Sequence, residues 1–439
     1  MNWMDAVIAT PQPSRGTVSA KPFSVIHLLS FEGPDPYAQA GGIATRITGL
    51  AEGLAGYGNE AHLWFVGSPD LPGHESRGRL HLHRWCQWIS QHHPIGVYDG
   101  ENGKQMDYAA SLPPVLLEML RDQLADGGTA TVLAEEWHTV DAVLHLDWLL
   151  RRNGLRDRVA IMWTANNVFG FERIDWGRLR EAAAIATISR YMRHRMLPLG
   201  VDPLVVPNGL SADAFVRPDP AAVGELRRRL APRTLLAKMA RFDPDKNWLG
   251  AIDIVGELKR HGLRPLLLAR GGKESHGDEV LERARTLGLS IDERVLHGPG
   301  SRGLLEAVQE PGEADVLFFQ SHIDPDARRL LFRGAHAVLA NSSHEPFGLV
   351  ALETMAVEGL ACTGNTGEDY CLPGHNALAL QTDDPREFAA LFRALQATPR
   401  RELAMRRAGL RTARQFRWRH VIERILLPRL TLLSDPAAA

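Results

Sequence analysis

"HEPFGLVALE", residues His344–Glu353, sets two glutamates around an apolar run, the first before a proline and the second after seven further residues. A proline suits the first turn of a helix because it has no amide hydrogen to lose there. Leu349, Val350, Leu352, Met355 and Ala356 then continue as one apolar helical face. The expectation is a helix from Pro346 with Glu345 at its mouth. Eight residues at ~1.5 Å rise put Glu353 roughly 12 Å further along and about 80° around the axis. Carboxylates that act on one glycosidic bond lie roughly 5 to 9.5 Å apart, so these two do not form such a pair. A long anionic ligand laid across a helix start would meet both, with free amides and the positive end of the dipole between them. A nucleotide diphosphate sugar has that shape and charge.

At 439 residues the chain exceeds one ordinary core and fits two α/β domains. "FSVIHLLS" reads as a buried strand, "ATRITGLAEGLAGYG" as a helix and "AHLWFVG" as the next strand. The alternation restarts after "VVPNGL": "TLLAKMA" is a strand, "NWLGAIDIVGELKRHG" a helix and "PLLLAR" a strand. Alternation of this kind builds parallel sheets covered on both faces. The Pro-Asn-Gly turn at Pro207–Gly209 therefore marks a hinge. The expected division is a tail over 1–20, one doubly wound domain over 21–206, a second over 207–413, and a last helix over 414–439. Ligands of such sheets bind beyond the carboxyl ends of the strands. In the first of those loops Gly41 and Gly42 would let backbone approach a phosphate or sugar, or simply form a helix-start turn.

Fifty basic against 52 acidic residues, a formal net charge of -2, gives no basis for binding bulk nucleic acid or a membrane surface. An anion site must therefore be local. Cys86, Cys362 and Cys371 make no metal-type pair, and so sparse an odd count points to a reducing, cytoplasmic setting. The first twenty residues lack the basic start and apolar run of a signal peptide, and no apolar stretch is long enough to span a bilayer. His81 with His83, and His92 with His93, lack a further set of ligands at metal-binding spacing.

From about Phe23 to Leu433 the chain resembles the glycogen-synthase-like retaining glycosyltransferases of the GT-B fold, glycosyltransferase family 4 type. "EPFGLVALE" matches that family's pattern of Glu, seven residues, Glu. "ARFDPDKN" resembles its arginine and lysine segment for the donor pyrophosphate, which implies Arg241 and Lys246. "EEWHT" is similar to the segment whose histidine lies beside the donor sugar, here His138, and "TANNVFG" places Asn167 at a matching asparagine. "FRWRHV" resembles the terminal helix that crosses back onto the first domain. Asn247, Asn166 and Asn341 stand where the family has glycine, histidine and proline.

The resemblance implies two doubly wound Rossmann-like domains facing a central cleft. It also implies transfer of a hexosyl group, glucose first among the sugars, from a nucleotide diphosphate sugar to a hydroxyl of a carbohydrate or other acceptor, with retention. His138, Arg241, Lys246 and Glu345 would be catalytic. Gly41, Gly42, Asn167, Phe347, Gly348, Leu349 and Glu353 would bind the donor. No cofactor and no metal is called for, because Arg241, Lys246 and helix amides supply the positive charge that a departing diphosphate needs. Two other readings compete. A silent GT-B protein would bind sugars or a partner without turnover. An NAD-dependent oxidoreductase would use "GPGSRG", with Gly298, Gly300 and Gly303 in a glycine-rich phosphate loop.

Overall fold

Buried strands in this chain are apolar on both faces, and the computed structural model shows what covers each. It describes residues 25–434, apart from 126–127, 273, 310–311 and 365. The tail expected over 1–20 lies outside the described residues. The chain forms two compact units: one runs to Gly209 and resumes at Phe416, and the other is Leu210–Gln415.

In the first unit β1 (Val25–Leu29), β2 (Glu60–Val66), β3 (His74–Arg77), β4 (Leu80–Trp85), β5 (Ala130–Glu135), β6 (Val159–Ala165), β7 (Ala184–Thr187) and β8 (Leu204–Val205) make one sheet. Its order is β3-β4-β2-β1-β5-β6-β7-β8. All neighbours are parallel except β3 with β4. The helix Gly42–Tyr57 follows β1 and stops at Gly58, whose left-handed φ of 110° ends it. The returning segment Trp418–Val421 packs on that helix through Trp418, whose ring fills the space that side chains at Gly49 and Gly209 would need. Glycine at both positions is thus a packing requirement.

The second unit holds β9 (Thr234–Met239), β10 (Pro265–Arg270), β11 (Ile291–Arg294), β12 (Val316–Phe319), β13 (Ala337–Ala340), β14 (Ala361–Thr363) and β15 (Leu378–Ala379). They pair in parallel in the order β11-β12-β10-β9-β13-β14-β15. Side chains alternate between two cores, as the period of a strand requires. Leu236, Leu267, Val316 and Phe318 pack with Trp248, Val255 and Phe388 on one side. Leu235, Ala237, Leu266, Leu268 and Leu317 pack with Leu226, Leu330 and Phe332 on the other. Helices on both faces explain why these strands read as unbroken apolar runs.

Both sheets have a switch point, where chain order runs outward in opposite directions from two neighbouring strands. It lies between β1 and β5 in the first unit and between β9 and β13 in the second. No helix among the described residues is long and apolar enough to cross a membrane.

Candidate functional site

The loops that leave β9 and β13 bring distant residues of the second unit together. Lys246 Nζ donates to Glu345 Oε2 at 2.7 Å, and Ser342 Oγ donates to the same oxygen at 3.1 Å. The two loops are also tied through backbone, Ser343 N–H to the Asp245 carbonyl at 2.9 Å. Arg241 precedes Lys246 on the β9 loop. Its carbonyl accepts from Trp248 Nε1 at 2.7 Å, while its exposed guanidinium has no ion pair among the described residues. The site therefore offers one cation already engaged and one open to a ligand.

Asn247 explains itself. It adopts φ 48° and ψ 54°, a left-handed conformation that asparagine tolerates better than most residues with a side chain, and its Oδ1 caps the Trp248–Arg260 helix by accepting from Gly250 N–H at 3.1 Å. Asn341 serves a buried cation, since its Oδ1 accepts at 2.7 Å from Lys238 Nζ, which is fully buried and lies 5.2 Å from the Trp248 ring centroid. Burial pulls the Lys238 ammonium down to about 7.

The helix that Pro346 was expected to begin starts three residues later, at Leu349, and runs to Ala356. Gly348 has φ 85° and ψ 58°, so the backbone turns sharply before the helix can form. Residues 366–370 pack against that turn. Tyr370 Oη donates to the Gly348 carbonyl, and the Glu368 side chain runs where a Gly348 side chain would stand. Thr366 Oγ1 accepts from Glu345 N–H at 2.9 Å and donates to the Glu345 carbonyl at 3.3 Å. Glu345 is thus held in a loop rather than at a helix mouth, and the helical-rise estimate of its separation from Glu353 does not apply. Glu353 lies within the helix, with Arg328 Nη2 at 3.4 Å from its carboxylate. Burial raises its carboxyl above the usual range, and Arg328 pulls the other way.

At the switch point of the first unit, His138 sits in a short turn after β5. It is 4% exposed and sandwiched by Phe31 at 4.4 Å and Trp137 at 3.9 Å between ring centroids. Its Nε2 meets Glu101 Oε1 at 2.7 Å, and its Nδ1 has no partner among the described residues. Burial lowers its basicity, against the pull of Glu101. Beside it Glu32 Oε2 accepts the amides of Gly41 at 3.1 Å and Ala44 at 3.0 Å, and Tyr98 Oη donates to Glu32 Oε1 at 2.6 Å. The Gly41 amide, expected to face a phosphate or sugar, thus already serves an internal carboxylate. A Cβ added at Gly41 or Gly42 would meet no described atom within 4 Å beyond its chain neighbours and own helix.

Asn167 Oδ1 accepts from Phe169 N–H at 2.7 Å and shapes its own turn. The neighbouring Asn166 is the buried one: its side chain donates to Glu135 Oε2 at 2.6 Å, and its backbone amide donates to Glu136 Oε1 at 2.6 Å. Arg46 Nε also reaches Glu135 Oε2, at 3.0 Å, and Arg46 Nη1 reaches Asn208 Oδ1 at 2.7 Å. Residue patterns singled out neither the Arg46–Glu135–Asn208 part of this network nor residues 366–370. That segment has no periodicity, and its glycine was the one available signal.

Two amides of the "GPGSRG" loop are engaged by carboxylates. Gly300 N–H donates to Asp324 Oδ2 at 2.6 Å and Ser301 N–H to Asp326 Oδ2 at 2.8 Å. It also follows the edge strand β11, away from the switch point. Both facts weigh against a dinucleotide there. His81 Nε2 meets Glu60 Oε2 at 2.9 Å, His93 Nδ1 meets Asp99 Oδ1 at 3.2 Å, and no group of three ligands suited to a metal exists among the described residues.

No family model matches the chain. The D-inositol 3-phosphate glycosyltransferase of Streptomyces avermitilis is 25% identical over 295 residues, covering 62% of this chain and 60% of its own. The enzyme of that name from Geodermatophilus obscurus is 27% identical over 254 residues, 55% of this chain and 50% of its own. That from Thermomonospora curvata is 27% identical over 164 residues, 34% and 38%. The matches span less than two thirds of these relatives' own length.

Among solved structures, sucrose-phosphate synthase from Thermosynechococcus elongatus aligns with TM-score 0.63 at 19% identity, over 94% of this chain and 100% of its own. Anabaena HepE in complex with UDP gives 0.60 at 13%, over 93% and 100%. An E. coli structure described as trehalose-6-phosphate, bound with UDP-2-fluoro glucose, gives 0.63 at 16%, over 94% and 99%. The fold shared with them is GT-B, two Rossmann-like α/β units.

Proposed function

We propose that the chain is a retaining glycosyltransferase that moves a hexosyl group, glucose first among the sugars, from a nucleotide diphosphate sugar to an acceptor hydroxyl. The observation that carries this reading is the Lys246–Glu345 contact of 2.7 Å at the switch point of the second unit, with Arg241, which has no ion pair among the described residues, on the same loop. Relatives named as glycosyltransferases, and structural neighbours described with UDP or a UDP sugar bound, support it and favour UDP as the nucleotide.

Negative charge grows on the departing diphosphate as the anomeric bond breaks, and fixed cations there lower the barrier most directly. Arg241 is open for that role. Lys246 exchanges Glu345 for a phosphate oxygen when the donor arrives, which frees Glu345 to accept hydrogen bonds from sugar hydroxyls. The backbone of Phe347, Gly348 and Leu349 lies beside the diphosphate, and Glu353 takes the ribose hydroxyls. His138, Gly41, Gly42 and Asn167 of the first unit serve the sugar and acceptor side on the strength of the resemblance. The site needs no metal in this account, and the three cysteines, which form no disulfide, fit a cytoplasmic setting.

A silent binding protein of this fold would not need the charged set intact. A thermal-shift panel of UDP, ADP and GDP sugars, followed by assay of free nucleoside diphosphate, separates the readings. Stabilisation by one family of donors together with its turnover is expected. Stabilisation without release from any donor would favour the silent protein, and no response to any of them would remove the proposal.

A further inference from the structure

Glu368 lies in the loop that clamps Glu345–Gly348. It is 5% exposed, and neither carboxyl oxygen makes a hydrogen bond of good geometry among the described residues, although the backbone amides of Thr366 and of Glu368 itself lie near enough to favour its charged form. Two other buried carboxylates are served: Glu32 by two amides and a hydroxyl, Glu135 by Arg46 and Asn166. An unsatisfied buried polar group costs a few kcal/mol (~1–3 in proteins), and such a group needs a reason. Its position supplies one. A methyl on Gly348 would stand 2.5 Å from Glu368 Cγ, so the side chain lies against the residue that opens the Leu349–Ala356 helix, and that helix has no side-chain cap.

We propose that Glu368 is a donor-site residue whose carboxyl hydrogen-bonds the terminal phosphate of a bound nucleoside diphosphate at the mouth of the Leu349–Ala356 helix. The proposal rests on reading the site as one for nucleotide sugars. A phosphate oxygen only accepts, so the carboxyl must bring the proton. Burial, and then the nearby Glu345 carboxylate, push it up to about 8 against the pull of the Glu368 and Thr366 amides and then of Lys246, so it is mostly neutral at pH 7. An ionised carboxylate would compete with the phosphate for the positive helix end, whereas a neutral one adds a short O–H···O⁻ bond to it. Arrival of the diphosphate, with Lys246 drawn to it, makes the proton harder to remove.

Affinity should therefore fall as pH rises through 8. The other groups that face this carboxyl are the Tyr370 phenol and the Cys371 thiol, both pushed well above their usual ranges by burial, and Asp369 beside them. Lys238 lies behind the site and loses its charge around 7. All of these persist in Glu368→Gln, so the difference between the two proteins isolates Glu368.

The test is calorimetry of UDP and UMP at pH 7 and pH 9 with the wild type, Glu368→Gln and Glu368→Ala. Between those pH values the wild type should lose about tenfold more UDP affinity than Glu368→Gln, because pH 9 lies one unit above the carboxyl's value of about 8. Glu368→Ala should bind UDP weakly at both. UMP, which lacks the terminal phosphate, should show no difference among the three. Wild type and Glu368→Gln that track each other with UDP would overturn the proposal, and so would a difference that persists with UMP. Absence of binding by any nucleoside diphosphate would instead remove the nucleotide-sugar reading on which the proposal stands.

Discussion

Glu345 and Glu353 are eight positions apart and belong to different kinds of structure. Glu345 is fixed in a loop by Thr366 and faces Lys246, while Glu353 is in a helix and faces Arg328. Their variants should differ accordingly. Glu345→Gln should leave UDP affinity intact, because Lys246 no longer has to leave a charged partner, yet lower kcat by removing contacts to the reacting sugar. Glu353→Gln should weaken UDP and the full donor alike, by roughly 1 to 3 kcal/mol for lost charged hydrogen bonds. Calorimetry with UDP beside steady-state kinetics reads both; equal losses of UDP affinity would mean the two carboxylates do not divide the donor between them. Asn247 carries a separate expectation about stability. Asn247→Ala loses the cap and strains a left-handed residue, about 1 to 2 kcal/mol together, whereas Asn247→Gly should lose only a few tenths. Denaturant midpoints of the two variants check this, and equal midpoints would contradict it.

Elements were legible where burial imposes a period. β10 coincides with "PLLLAR", and the helix Trp248–Arg260 fills most of its expected span, since the alternation of two cores and the spacing of Leu249, Ile252 and Val255 both leave a pattern in the residues. The start of the Leu349–Ala356 helix was not legible. Pro346 is compatible with a first turn, and the left-handed Gly348 that forbids it there is set by Glu368 and Tyr370, twenty or more residues away. For the same reason Glu368 and Thr366 left no mark, while Lys246 and Glu345 could be named from motif likeness and are found in contact. Within the first unit, Arg46 ties the helix Gly42–Tyr57 to β5 through Glu135, and to Asn208, with both charged side chains at most 2% exposed. Removing one member strands a buried charge. Arg46→Ala should destabilise the protein by roughly 3 to 5 kcal/mol, while the double change of Arg46 and Glu135 to apolar residues of similar size should recover much of that loss. Thermal unfolding of both variants decides, and an Arg46→Ala protein as stable as the wild type would contradict the buried pair's role.

The whole molecule combines two sheets, parallel except where β3 joins β4, each with a switch point, in the GT-B fold. Fold alone does not fix activity, and the functional reading stands on the charges gathered beyond β9 and β13. In the first unit Tyr98 donates to Glu32 and His138 meets Glu101, a polar cluster carried on loops and helix starts outside the sheet. The central claim, a metal-free diphosphate site built on Arg241 and Lys246, is tested most directly by calorimetry of UDP in EDTA with the wild type and with the double variant Arg241→Ala, Lys246→Ala. Two lost charge-assisted contacts at ~1.5 kcal/mol each predict that the wild type binds and that the double variant binds roughly a hundredfold more weakly. Equal affinities, or binding by the wild type only when a divalent cation is restored, would contradict the account.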